Sequence, residues 1–165
     1  MKRMNKKGTV LDLIMIVVVL FVFIIMTIVG NLVLNDVNTD IQADDSFNAD
    51  TKETVTDLKD SFPAFGDGLF LFIFVLMWIV TLALSFMIDT HPIFFVLSII
   101  ALIFIILVGA IISNSFESFT EDSDIAAVTV NYPKTVFVFD HLVEFLVGIG
   151  GTILLVLFFK LRSQG

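Results

Sequence analysis

The sequence predicts an all-α integral membrane protein with four transmembrane helices, and three observations predict it. Four apolar runs, 10–34, 69–88, 93–113 and 142–159, approach or exceed the roughly 20 residues that a helix needs to cross a bilayer. Hydrophobic residues make up 58% of the 165, with 19 Phe among them, and the mean hydropathy is +1.02. A chain this short has too much surface to hide that many apolar side chains from water. The third observation is the placement of charge. Lys2, Arg3, Lys6 and Lys7 precede the first run, and Lys160 and Arg162 follow the last. Loop 35–67 holds nine acids against Lys52 and Lys59, and loop 114–140 holds five against Lys134. Cationic residues near span ends stay on the cytoplasmic side. Both termini are therefore expected on the cytoplasmic or equivalent side, with two acidic loops opposite, which requires an even number of spans. Residues 1–165 read as a single four-span domain.

The first run opens with Thr9 and, three residues later, Asp12, a capping-box spacing. Capping accounts for a carboxylate beside an apolar run, since it meets orphan backbone N–H groups and the positive end of the helix dipole. The run is longer than a signal-peptide core, and no small-x-small cleavage site follows it. Its Lys6-Lys7-Gly8 start has a prepilin flavour, but Leu13 stands where a pilin needs Glu. Asn31 and Asn35 mark its exit.

In the first loop, Asp50 and Glu53 form another capping pair, and Val55, Leu58 and Phe62 recur at helical spacing. This predicts an amphipathic helix over 51–62, stopped by Pro63, with a Gly66-Asp67-Gly68 turn feeding the second run. The second and third runs are expected to form a tight hairpin through Asp89-Thr90-His91-Pro92, with Pro92 at the first helical position. In the second loop, 125–130 and 135–139 are β-rich, with Tyr132-Pro133 between them, so a short hairpin or extended strands are expected. Asp140 reads as the cap of the fourth run.

Asp89 and His91 form one interfacial polar pair, and Asp140, His141 and Glu144 another cluster. Asp140 and Glu144 are four apart and so share a helix face. Ionisable groups near lipid are functional candidates, but at span ends capping and solvation account for them. Asp36-x-Asn38-x-Asp40 begins like a calcium loop, yet Ile41 and Phe47 occupy the places of its Gly and Glu. No Lys, Arg, Asp, Glu or His falls in the middle of any run, where carriers, ion pathways and proton relays need them. Cysteines are absent, as are phosphate-cradling glycine loops. No enzyme and no cofactor is expected, and a net charge of −8 opposes nucleic-acid binding.

Small residues recur at four-residue spacing where helices should touch: Thr81 with Ser85, Gly109 with Ser113, and Gly148 with Thr152, beside Gly150-Gly151. Such pairs let backbones approach closely in lipid.

The stretch Ile88-Asp89-Thr90-His91-Pro92-Ile93-Phe94-Phe95, continuing to Ser113-Asn114-Ser115-Phe116-Glu117, and the Met4-Asn5-Lys6-Lys7-Gly8 opening resemble small uncharacterised multi-span membrane proteins. That group is associated with archaeal and viral metagenomes and with icosahedral viruses that carry an internal membrane. The resemblance covers about half of the chain and implies no catalytic or binding residue. It implies a structural or assembly subunit of a cell membrane or a virion's internal membrane, with lipid, other membrane or capsid-type subunits, or further copies as partners. The alternatives are a holin-like pore former and an accessory subunit of a transporter or channel.

Overall fold

The computed structural model describes residues 10–87 and 92–163, and among these every regular element is a helix. In order they are α1 (Val10–Ala43), α2 (Ala49–Met87), α3 (Pro92–Thr120), α4 (Ser123–Thr129), α5 (Pro133–Asp140) and α6 (Leu142–Ser163). Four of them, α1, α2, α3 and α6, are long and apolar enough to cross a membrane. They are arranged in the ring order α1, α2, α6, α3, each packing on the next and α3 closing back on α1. The hairpin expected through Asp89 and His91 lies outside the described residues, apart from Pro92, which opens α3.

The acidic segment 35–67 is not a loop. Helix α1 runs for 34 residues and α2 for 39, roughly 51 and 58 Å at 1.5 Å per residue, against a hydrocarbon thickness of roughly 30 Å. Both therefore overrun the membrane as an antiparallel pair. A helix already nucleated in lipid adds residues cheaply, and 35–43 contains neither Gly nor Pro to stop it. At the tip, the Ser46 N–H donates to Asp44 Oδ1 at 2.8 Å, and the Thr51 N–H donates to Asn48 Oδ1 at 2.8 Å. Asn48 thus caps α2, earlier than the expected Asp50–Glu53 pair. Cross-links tie the two arms: Gln42 Nε2 donates to the Lys52 carbonyl at 3.0 Å, Lys52 Nζ to the Gln42 carbonyl at 3.0 Å, and the Thr56 hydroxyl to Asn38 Oδ1 at 3.1 Å.

Residues 51–62 are helical, as their periodicity predicted, but Leu58 is exposed and Pro63 does not stop the run. Proline inside a helix loses one hydrogen bond and crowds the preceding turn, at a cost of about 3 kcal/mol. Here Pro63 is buried, and tertiary contacts hold the turn that follows it. The Phe62 ring lies over Gly30, and a Cβ on Gly66 would stand 2.6 Å from Thr27 Cγ2 and 3.4 Å from the Tyr132 ring. The expected Gly66-Asp67-Gly68 turn is helix, with its glycine used for close approach.

The β-rich stretches are helices as well. Asp122 caps α4 by accepting the Asp124 N–H at 3.0 Å, and Pro133 opens α5 at a position that needs no N–H. Their buried residues explain the preference: Ile125, Val128, Thr129 and Tyr132, then Thr135, Val138, Phe139 and Leu142. Both sets step by three, one and three, which is a helix face. Packing on that face outweighs a β propensity that depends on context. Asp140 is the last residue of α5 rather than the cap of α6, and His141 forms the joint between the two helices.

The core centres on Phe139 of α5. Its ring stacks on Phe116 of α3 at 4.2 Å and on Phe70 of α2 at 5.5 Å, and meets Phe21 of α1 edge-on at 5.9 Å. These four rings put one level of the bundle on α1, α2, α3 and α5. At the opposite end, Lys160 Nζ donates to the Phe86 carbonyl at 2.9 Å, satisfying an orphan acceptor in the last turn of α2.

Candidate functional site

Where α4 and α5 fold back against α1 and α2, the structure buries one of the acids of segment 35–67. Asp67 is 2% exposed. Its Oδ1 accepts the Thr135 N–H at 2.8 Å and its Oδ2 the Lys134 N–H at 3.3 Å. These are the first free N–H groups of α5. Tyr132, which precedes the helix, makes no side-chain cap of its own. Asp67 therefore caps α5 from another helix, with its charge on the positive end of the α5 dipole. The half-exposed Lys134 ammonium lies 3.8 Å from Oδ2. A charge-assisted hydrogen bond of this kind contributes roughly 1.5–3 kcal/mol.

Around the carboxylate sit three further polar residues. The fully buried Tyr132 points its hydroxyl at the Thr27 carbonyl of α1, at 3.5 Å, the outer limit of a hydrogen bond. Burial pushes its phenol up to about 12, the negative charge of Asp67 adds to the rise, and the nearby Asn31 amide opposes it. Asn31 is 1% exposed, and apart from its approach to the Tyr132 phenol its amide closes no hydrogen bond of good geometry; the buried Thr135 hydroxyl closes none either. Such groups carry a desolvation cost.

Chemically this cluster is a clamp. Its one carboxylate is occupied by backbone donors and an ammonium, and no thiol or imidazole has a described bond to it. Among the described residues no three metal-ligating side chains converge. The nearby core is closed: a void of about 10 Å³ lined by Val17, Leu20, Phe70, Phe74, Val138, Phe139 and Leu142 holds at most one water. An open depression of about 250 Å³ at the α1–α2 tip, lined by Asn48, Asp50, Thr51, Thr54 and Val55, faces solvent.

The residues singled out from sequence fare differently. Asp89 and His91 lie outside the described residues. Asp140, His141 and Glu144 are all exposed. His141 Nδ1 pairs with the Phe137 carbonyl at 3.0 Å and its ring packs on Phe137 at 4.5 Å, while no described bond joins Asp140 or Glu144 to it. Asp36, Asn38 and Asp40 lie along helix α1, so the calcium-loop spacing has no loop to act in.

Among the small residues, Gly109 and Ser113 do hold a helix contact. A Cβ on Gly109 would run into Leu146 of α6, and the Ser113 hydroxyl donates to the Phe139 carbonyl at 2.8 Å. Ser85 is buried and bonds the Leu82 carbonyl at 2.6 Å, and Thr81 bonds Met77 at 2.8 Å within its own helix. At Gly148 a Cβ would meet nothing within 4 Å, and the Thr152 hydroxyl donates to the Gly148 carbonyl at 2.7 Å. Gly150 takes that place, with Leu102 of α3 packed against it.

The sequence carried a signal for the clamp: Asn31 inside an apolar run, and Asp67 two residues before another. Comparison with family models, with curated proteins and with solved structures finds no match for this chain.

Proposed function

We propose that this is a non-catalytic structural or assembly subunit embedded in a membrane, such as the internal membrane of a virion. The observation that supports this reading best is where the polar groups lie. No ionisable residue lies in the middle of an apolar run, and the one carboxylate buried among the described residues is spent on joining α5 to α2. A charge at mid-bilayer costs roughly 2.5–3.5 kcal/mol even on the lenient insertion scale, so a pore or carrier must offer its cargo polar partners there. Thr27, Thr81 and Thr152 instead bond carbonyls of their own helices. Both termini belong on the cytoplasmic or equivalent side, with the α1–α2 projection opposite, on the strength of the Lys and Arg bias of the tails.

Reconstituted into liposomes, the chain should leave proton, sodium and small-dye gradients intact. Rapid dye release at low protein-to-lipid ratio would overturn this reading in favour of a holin-like pore. Impermeant lysine labelling of sealed vesicles tests the sidedness: Lys52 and Lys6 should not react from the same side.

A further inference from the structure

We infer that the outer arm of α2 is a docking face for a cationic amphipathic helix of a neighbouring protein, one with lysine or arginine along the edge of an apolar seam. The inference rests on the assembly reading above and names the chemistry of the partner.

One stripe of α2 carries the face. Thr54, Leu58, Ser61 and Phe65 follow at steps of four, three and four, which keeps them on one side of a helix. All four are exposed, Leu58 by 50% and Phe65 by 68%. The side turned to α1 is a different one: there the Phe62 ring lies over Gly30, and the Thr56 hydroxyl donates to Asn38. Leu58 stands eleven residues before the second apolar run. That is roughly 16 Å along the helix axis, so lipid does not account for its exposure.

A carboxylate edge runs beside the stripe. Asp50, Glu53, Asp57 and Asp60 step by three, four and three, and the last three each precede a residue of the stripe. All are exposed, and like charges at these spacings repel along a helix. Lys59 reaches Asp60 at 3.2 Å, while Lys52 Nζ donates to the Gln42 carbonyl at 3.0 Å. Among the described residues no ion pair meets Asp50, Glu53 or Asp57. Cations on a partner relieve that repulsion, whereas a second copy of the chain would set acid against acid. At the tip the two stripes run into the depression of about 250 Å³ lined by Asn48, Asp50, Thr51, Thr54 and Val55. It has room for the aliphatic stem of a lysine or arginine, with the charge meeting Asp50. An apolar seam flanked by charge is how one helix selects another: the seam supplies contact, and the edge sets partner and orientation.

The full chain in phosphatidylcholine nanodiscs is titrated with two fluorescent model helices, one with a leucine seam edged by lysine and one with glutamate in place of every lysine. The lysine helix should bind about tenfold tighter than the glutamate helix, and about tenfold tighter than it binds empty nanodiscs. Glu53→Gln with Asp57→Asn should weaken it about tenfold, and Leu58→Ser with Phe65→Ser about fivefold. These four side chains are exposed, so both variants should keep the helical circular dichroism of the native chain. Equal affinity for the two helices, or no loss in the charge variant, overturns the inference. So does unchanged binding by the Leu58 and Phe65 variant, or equal binding of a lysine oligomer without an apolar seam, since charge alone then attracts the probe. Displacement of the lysine helix by micromolar calcium also overturns it, because the edge is then a divalent-cation site. The readout is binding, so it fails independently of the flux assay.

Discussion

The inner and outer halves of the bundle are held together by different physics. In the inner half, α3 and α6 meet where Gly109 faces Leu146 and Gly150 faces Leu102, and attraction comes from close approach, because lipid already solvates apolar groups. In the outer half, α4 and α5 lie on α1 and α2 through a buried carboxylate, a helix N-terminus and a ring stack. Shape holds the first and polar satisfaction the second. Polar ties appear where the chain approaches water and irregular backbone must be satisfied.

The sharpest way to break this contrast is Asp67→Ala. It removes the cap of α5 and the partner of Lys134, and should cost about 3 kcal/mol. Hydrogen exchange should rise through 123–140 and stay low in the α3–α6 seam, and equal loss in both would merge the two halves. Next comes Gly150→Leu, which overpacks the seam against Leu102 at a cost of roughly 1–3 kcal/mol. Gly148→Leu, two residues away but facing open space, should change unfolding in detergent by less than about 0.5 kcal/mol. A similar loss in both variants would deny that seam geometry matters.

Asn31→Leu should be neutral or stabilising by up to about 1 kcal/mol, since it replaces a buried amide that closes no hydrogen bond of good geometry by an apolar group of similar size. A clear destabilisation would show that the amide is satisfied. The smallest effect concerns Tyr132. Its phenol ordinarily titrates near 10.0 and is raised to about 12 in the fold. The folded state thus holds this proton more tightly than the unfolded state does. Its contribution to stability is present in full below pH 10 and is lost as pH rises through 12. Tyr132→Phe should flatten unfolding midpoints across that window, and an unchanged slope would assign the loss to other groups.

The four long helices were legible because transfer from water to lipid is a sum over about 20 residues, large enough to survive any single exception. The α3–α6 contact was half legible: spacing picked out Gly109 and Ser113, but it could not say whether Gly148 or Gly150 turns inward. The outer half was misread for one reason. Acids, asparagines and Pro63 suggested a loop, and β-branched residues in 125–139 suggested strands, because each was weighed by its local preference.

What the sequence determined alone is therefore the set of apolar runs, the charge bias at their ends and the emptiness of their middles. These are properties of composition along the chain and need no partner. Only the tertiary structure decided that Pro63 continues a helix, that 125–139 is helical and that Asp67 is a cap. Local preferences there amount to at most a few kcal/mol, and contacts among residues far apart in the chain, such as Asp67 with Thr135 and Thr27 with Tyr132, outweigh them.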